Sequence, residues 1–457
     1  MVEGRRPERA AVLRKPLNPL SAPGTVPAMS PKYLFVLAAC GGSNEPTLDA
    51  SGPIAPTVNL GREVTRTSLA VDVGARTATA AITLAPGADP GATFEIGDLV
   101  IDRVAVDGAD LPFAAANRQL DLGLPASEQP IAVEIGYHYR GHEMFDGAAA
   151  DGFTFLWPYF CGNLFPCHSD PSDGTTFTLE LAGVPAGKTA VFPAAIANDA
   201  PSYQLAWAID DFAPELALGT TSAGTQIAIW HRANELAKAQ TGGAHLVAVF
   251  DWYETHIGPY RFGSKVGTVS VRWPAGAFGG MEHHPRWHVA AAALNDQTTN
   301  AHEAAHGWFG DGIRIACWED FVLSEGTVTY LAGRALEVVA PTVGAATWTG
   351  YAQQLAQIPG TSPVWPQSCN SIDILKDNLF SNAPYIRGAF FYRALAGKVG
   401  ADKVDEVLAT FYVAHAGKAA TMADMLATIQ AVTGYDPTAC ANTWLRSTTR
   451  PVPGPCP

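Results

Sequence analysis

The chain predicts an α+β multidomain fold, with a β-sandwich-like N-terminal half followed by a mainly helical C-terminal half. Three observations carry this. At 457 residues the chain is too long for one simple core, so two domains are expected. Short runs with period-two alternation fill its first half. Near residue 229 the apolar spacing changes to that of amphipathic helices.

Taken in order, residues 1–40 read as a leader and 41–56 as a flexible linker, since Pro and Gly are frequent and no periodic pattern appears. Within the leader, Leu37-Ala38-Ala39-Cys40 follows a short apolar run from Tyr33 and fits a bacterial lipobox, with Cys40 as the acylation site. Residues 57–228 form the expected β domain. Ala78 to Leu84 and Ile131 to Ile135 alternate as strands do, and Pro-Gly and Asp-Gly pairs punctuate them. Residues 229–450 form the expected helical domain, with helices over 229–241, 319–340, 347–357, 386–399, 401–414 and 421–432, and a strand over 266–273. A Pro-rich tail spans 451–457.

Composition narrows the function classes. Hydrophobic residues make up 47% of the chain, which suits a packed globular protein, and no stretch approaches a membrane span. The net charge is −14, and residues 1–40 contribute +4, leaving −18 on the remainder. Such an acidic body excludes nucleic acid as a natural partner and argues against anionic lipid surfaces. Membrane contact is expected only through a lipid on Cys40. The seven cysteines leave an even set once Cys40 is set aside. Sequence proximity suggests Cys161–Cys167 and Cys440–Cys456, leaving Cys317–Cys369, one of about fifteen possible pairings. Disulfides and a leader together predict export to a bacterial envelope or secretion. The oligomeric state is not legible.

The chemistry concentrates in His302-Glu303-Ala304-Ala305-His306, followed by Glu325. On a helix, positions i and i+4 share a face, so His302 and His306 can bind one metal ion. Glu325, in the first turns of the next helix, supplies a third ligand. Two imidazoles, one carboxylate and an open fourth position make a catalytic zinc site. Thr298-Thr299-Asn300 offers cap candidates for the first helix.

The surrounding residues resemble a known family. His302 to Gly310 and Trp318 to Gly326 look like the catalytic core of the M1 metallopeptidases, the gluzincin aminopeptidases related to aminopeptidase N. Gly279-Gly280-Met281-Glu282-His283 resembles the family's G-x-M-E-N motif. Pro384-Tyr385-Ile386-Arg387-Gly388 resembles its tyrosine block, and Phe165 to Pro171 its F-P-C-x-D-x-P block. The resemblance implies a thermolysin-like catalytic domain holding one Zn²⁺ per chain on His302, His306 and Glu325. It implies Glu303 as general base toward a zinc-activated water, and Tyr385 as donor to the oxyanion. Glu282 would bind the free α-ammonium of a peptide, with Gly279, Gly280 and Met281 lining its path. The expected reaction is removal of N-terminal residues from peptides.

Departures from the pattern leave alternatives open. His283 stands where the family has Asn, and Arg387 replaces a Lys expected to keep positive charge near the site. Phe153 to Phe165, where the family usually supplies a second acidic or amide anchor, contains no Glu, Asp or Gln and only Asn163 as an amide, with Trp157 and Tyr159 in that region instead. The chain resembles a short form without the C-terminal helical domain, which would open the cleft. A zinc endopeptidase and an inactive peptide-binding module are therefore the competing readings. His283, His284 and His288 read as packed residues and not a second metal site, and Asp320 is a candidate to orient a ligand histidine.

Overall fold

Pairing of the N-terminal strands follows from their alternation. The computed structural model describes residues 54–143, 146–149, 152–156, 159–273, 278–359, 364–369 and 381–457. A seven-stranded sheet runs in the order Ala195–Ala200, Thr175–Ala182, Val64–Asp72, Thr77–Leu84, Ile131–His138, Val100–Val106 and Ala109–Asp110. Val64–Asp72 pairs parallel with Thr175–Ala182 and antiparallel with Thr77–Leu84. Ala78, Ala80, Ile82 and Leu84 point into the core, as do Val133, Ile135 and Tyr137 across the ladder. Phe94, Leu120 and Leu122, from a three-stranded sheet of Ala92–Glu95, Gln119–Leu122 and Phe113–Ala116, pack into the same core. Two layers facing one apolar interior make the expected sandwich-like half.

The C-terminal half is built on a five-stranded sheet and nine α-helices among the described residues. The sheet order is Leu216–Thr220, Gln226–Trp230, Lys265–Val271, His288–Ala290 and Gly280–Met281. The helices are α1 Leu236–Gly242, α2 Leu246–His256, α3 Gln297–Ala305, α4 Phe321–Val339, α5 Pro341–Gln357, α6 Asn382–Val399, α7 Ala401–His415, α8 Met422–Thr433 and α9 Thr438–Ala441. A helix was expected from Ile229, yet Ile229 and Trp230 end a strand that pairs with Lys265–Val271. Their β-branched and aromatic side chains suit a buried strand better than a helix start. Residues 52–457 form one compact unit.

Two local readings also change. Asp296, not the Thr-Thr-Asn run, caps α3: its carboxylate accepts from Thr298 N at 2.9 Å and Thr299 Oγ1 at 2.8 Å. Helix α4 is buried on almost every face from Phe321 to Gly333, so it is a central helix and not an amphipathic surface one. The three disulfides are Cys161–Cys167, Cys317–Cys369 and Cys440–Cys456, the pairing that proximity suggests. No helix among the described residues is long and apolar enough to cross a membrane. Cys40 and Trp157 lie outside the described residues.

Candidate active site

The site forms where α3, α4, α6 and the short strand Gly280–Met281 meet. His302 and Glu303 sit in the last turns of α3, and His306 follows at its C-cap. Helix α4 starts after a 3-10 turn at Trp318–Asp320, which places Glu325 opposite the histidines. Helix α6 brings Tyr385 beside them. Close approach of α4 and α6 depends on two glycines. A Cβ on Gly326 would sit 2.7 Å from the Gly388 Cα, and one on Gly388 would sit 2.5 Å from the Gly326 Cα. The glycine of the tyrosine block thus seats Tyr385 against the neighbour of Glu325.

Three donor atoms converge. Glu325 Oε2 lies 3.1 Å from His302 Nε2 and 3.4 Å from His306 Nε2, and the two Nε2 atoms are 3.3 Å apart. Second contacts fix the rings: His306 Nδ1 meets the Phe309 carbonyl at 3.0 Å, and His302 Nδ1 meets Thr329 Oγ1 at 3.3 Å. Thr329 in turn donates to the Glu325 carbonyl at 2.6 Å.

Electrostatics point the same way. Glu282, Glu303, Asp311 and Glu325 are all less than a tenth exposed and crowd around His306. Burial raises the proton affinity of Glu303, and the charges of Glu282 and Glu325 add to it while His306 opposes. Burial also raises Asp311, with Glu282 beside it. For Glu325 burial acts upward most strongly, but His306 and His302 together, by charge and by contact, outweigh it and hold the carboxyl down. For His306 burial acts downward, and the surrounding carboxylates Glu282, Glu325 and Glu303 together outweigh it. Four buried carboxylates and two imidazoles in one place form a cluster short of positive charge. A divalent cation on His302, His306 and Glu325 fits it, and Glu325 Oε2 has no donor in hydrogen-bonding geometry.

A cavity of about 260 Å³ opens over this cluster. It reaches Phe278, Gly279, Gly280, Met281 and Glu282 on one wall and Tyr351, Gln354 and Asn382 on another. Every residue expected for the site lines it: Gly279, Gly280, Met281, Glu282, His302, Glu303, His306, Glu325 and Tyr385. A Cβ on Gly280 would lie 2.3 Å from Glu303 Oε1, so only glycine lets that strand pass the carboxylate. The Tyr385 ring stacks on His302 at 6.0 Å, and its hydroxyl lies beside Glu325. Burial, then the nearby Glu325 and Glu282 charges, keep that hydroxyl protonated.

Other expectations change. Arg387 does not put charge near the site: it is buried, and its Nε donates to the Trp444 carbonyl at 2.7 Å. Asp320 accepts from Trp365 Nε1 at 3.1 Å and Met422 N at 2.9 Å, and orients no histidine. Tyr159 stands edge-on to Trp318 and does not line the cavity. His284 bridges the Glu303 carbonyl and the Tyr260 hydroxyl, both at 2.8 Å, and so braces α3. Burial lowers His283 and His284 to about 3, so both stay neutral. Cys317 and Cys369 approach Glu319, but their sulfurs are spent in a disulfide. Sequence reasoning missed Asp311, Tyr351, Gln354 and Asn382. Only Asp311, five residues after His306, lay near enough to the motif to be suspected.

Comparison with known proteins agrees with this geometry. Residues 280–444 match the model of the peptidase family M1 domain. Aminopeptidase N of Streptomyces lividans is 28% identical over 157 residues, covering 33% of this chain and 18% of that protein. Leucine aminopeptidase 2 of Emericella nidulans is 26% identical over 296 residues, covering 58% of this chain and 46% of that protein. The chain spans less than half the length of either relative. The M1 zinc metallopeptidase of Deinococcus radiodurans shares the fold, with a TM-score of 0.72, 20% identity, and coverage of 87% of this chain and 97% of that one. A variant of it was solved bound to a Tyr-Ser-Ala substrate. The matched segment holds both motif histidines, Glu303, Glu325 and Tyr385, so the part of the chain that matches the peptidase family M1 domain is the part that builds the site.

Proposed function

We propose that this protein is a zinc aminopeptidase that removes N-terminal residues from peptides, with one Zn²⁺ per chain. One observation carries the reading: Glu282, Glu303, Tyr385 and the His302–His306–Glu325 cluster line a single cavity. Bound there, zinc supplies Lewis acidity to the scissile carbonyl and lowers the pKa of a water toward ~7.

The chain's own residues supply the rest. Glu303 accepts a proton as water oxygen bonds to the carbonyl carbon. Burial gives its carboxylate a raised proton affinity, which suits a base working near neutrality. The proton then passes to the leaving nitrogen as the C–N bond breaks. Tyr385, held protonated, donates to the oxygen on which charge develops.

Glu282 selects the substrate. It is 6% exposed, so its charge is poorly solvated. A free α-ammonium pairs with it, whereas a blocked N-terminus leaves it unpaired at a cost of about 3–5 kcal/mol. Three disulfides support folding in an oxidising compartment, which favours an exported protein.

The test is hydrolysis of aminoacyl-amide substrates beside their N-acetylated twins, with and without a zinc chelator. Chelator-sensitive cleavage of the free-amine set alone is expected. Equal cleavage of both sets would instead establish an endopeptidase, and cleavage of neither a peptide-binding module.

A further inference from the structure

The loop that carries Glu282 is held from the N-terminal half of the chain. Ser202–Gln204 forms a single 3-10 turn, and two hydrogen bonds tie it to the Glu282–His284 segment. The Tyr203 carbonyl accepts from His283 Nδ1 at 2.8 Å. Gln204 Nε2 donates to the His284 carbonyl at 2.9 Å. The Tyr203 hydroxyl lies beside the Glu282 carboxylate, and both side chains line one small cavity.

Tyr203 is 8% exposed and lines a small cavity of about 20 Å³ with Glu282, Trp318, Phe321 and Ser324. Glu282 lines both this space and the larger cavity, whereas Tyr203 lines only the small one. The hydroxyl therefore reaches the carboxylate without occupying the room a substrate needs.

The chemistry of the donor matters. Glu282 lies among Glu303, Glu325 and Asp311, whose charges repel it. Something must hold it on target. A Lys or Arg would do so but would also neutralise the charge that a substrate ammonium seeks. A tyrosine hydroxyl is a neutral donor, and it orients the carboxylate while leaving its charge available. Burial, with Glu282 and Asp311 nearby, keeps that hydroxyl protonated.

We propose that Tyr203 is a positioning residue that aims Glu282 at the substrate's α-ammonium, so that the N-terminal half sets part of the free-amine selectivity. This inference rests on the reading of Glu282 as the amine anchor. No acidic residue stands between Phe153 and Phe165 to share that task.

Tyr203→Phe in the full zinc-loaded chain tests it. Loss of a neutral donor beside a buried charged group predicts a rise of about tenfold in KM for free-amine aminoacyl amides. The kcat is expected to stay within about twofold, because the reacting atoms are untouched. In a Glu282→Gln background the same change is expected to add little, since Tyr203 acts through Glu282. Thermal melting of each variant checks folding, and the cycle still separates positioning from packing if stability falls. An unchanged KM in a folded Tyr203→Phe protein overturns the inference, as does a full additional effect in the Glu282→Gln background. Wild-type protein with no preference for free amines removes the anchor reading, and the inference with it.

Discussion

The two halves of the molecule bury opposite things. The interior between the N-terminal sheets is apolar: Phe94, Ile82, Leu84, Leu120 and Ile135 are fully buried there and carry no polar atom beyond the backbone. The C-terminal half has an apolar core too, but beside it lie Glu282, Glu303, Asp311, Glu325 and His306, all buried. Buried carboxylates cost stability unless something compensates them. One half is therefore organised by packing, and the other spends stability on a site. Substitutions in the first change how much folded protein exists, while those in the second change what it does.

The sharpest break of that contrast is Glu303→Gln. The proposed base role of Glu303 predicts a fall in kcat of about 10²–10⁴-fold, with zinc content and melting temperature near wild type. Metal analysis beside steady-state kinetics checks this, and near-normal kcat would remove Glu303 from its role. Phe94→Ala is the mirror experiment. It opens a cavity in the apolar half and is expected to cost about 3–5 kcal/mol of stability. The kcat/KM per folded molecule should hold, as read by denaturant titration and active-site counting.

Gly280→Ala sharpens the boundary between the two behaviours. Its Cβ would fall 2.3 Å from Glu303 Oε1, so the carboxylate or the strand must move. A displacement of that order is expected to cost about 10²-fold in kcat, with zinc still bound. Asp296→Ala, which removes the cap of α3, is expected to cost about 1 kcal/mol of stability and to leave KM for free-amine substrates unchanged.

The smallest effect comes from pH in the N-terminal half. Burial acts to lower the His168 pKa, but its bonds to Asp173 and the Thr93 carbonyl outweigh this and raise it. A raised folded pKa stabilises below the unfolded value of ~6.5 and is lost as pH rises through the folded value. The melting advantage of wild type over His168→Asn should therefore shrink above neutrality.

The same contrast decides what the sequence revealed. Alternation along Thr77–Leu84 and Ile131–His138 announced the sheet, because one side of each strand faces the core. Ile229 and Trp230 misled because a short buried strand looks like part of a helix when only its apolar residues are counted. In the site, residues on one helix or next to a motif were legible: His302, Glu303, His306, Glu325, Glu282 and Tyr385. Tyr203 was not, because it lies about eighty residues from its partners and only the tertiary fold brings them together. Arg387 was misplaced because a motif match fixes a position in the chain and not the direction of a side chain.

The central claim is that the buried carboxylates and imidazoles form a cradle for one zinc ion. It is tested most directly by titrating metal-stripped protein with zinc in a calorimeter, for wild type and His306→Ala. The account predicts one site per chain in wild type, with its affinity lost in the variant. Absence of binding to the folded wild type, or equal binding by His306→Ala, would contradict it.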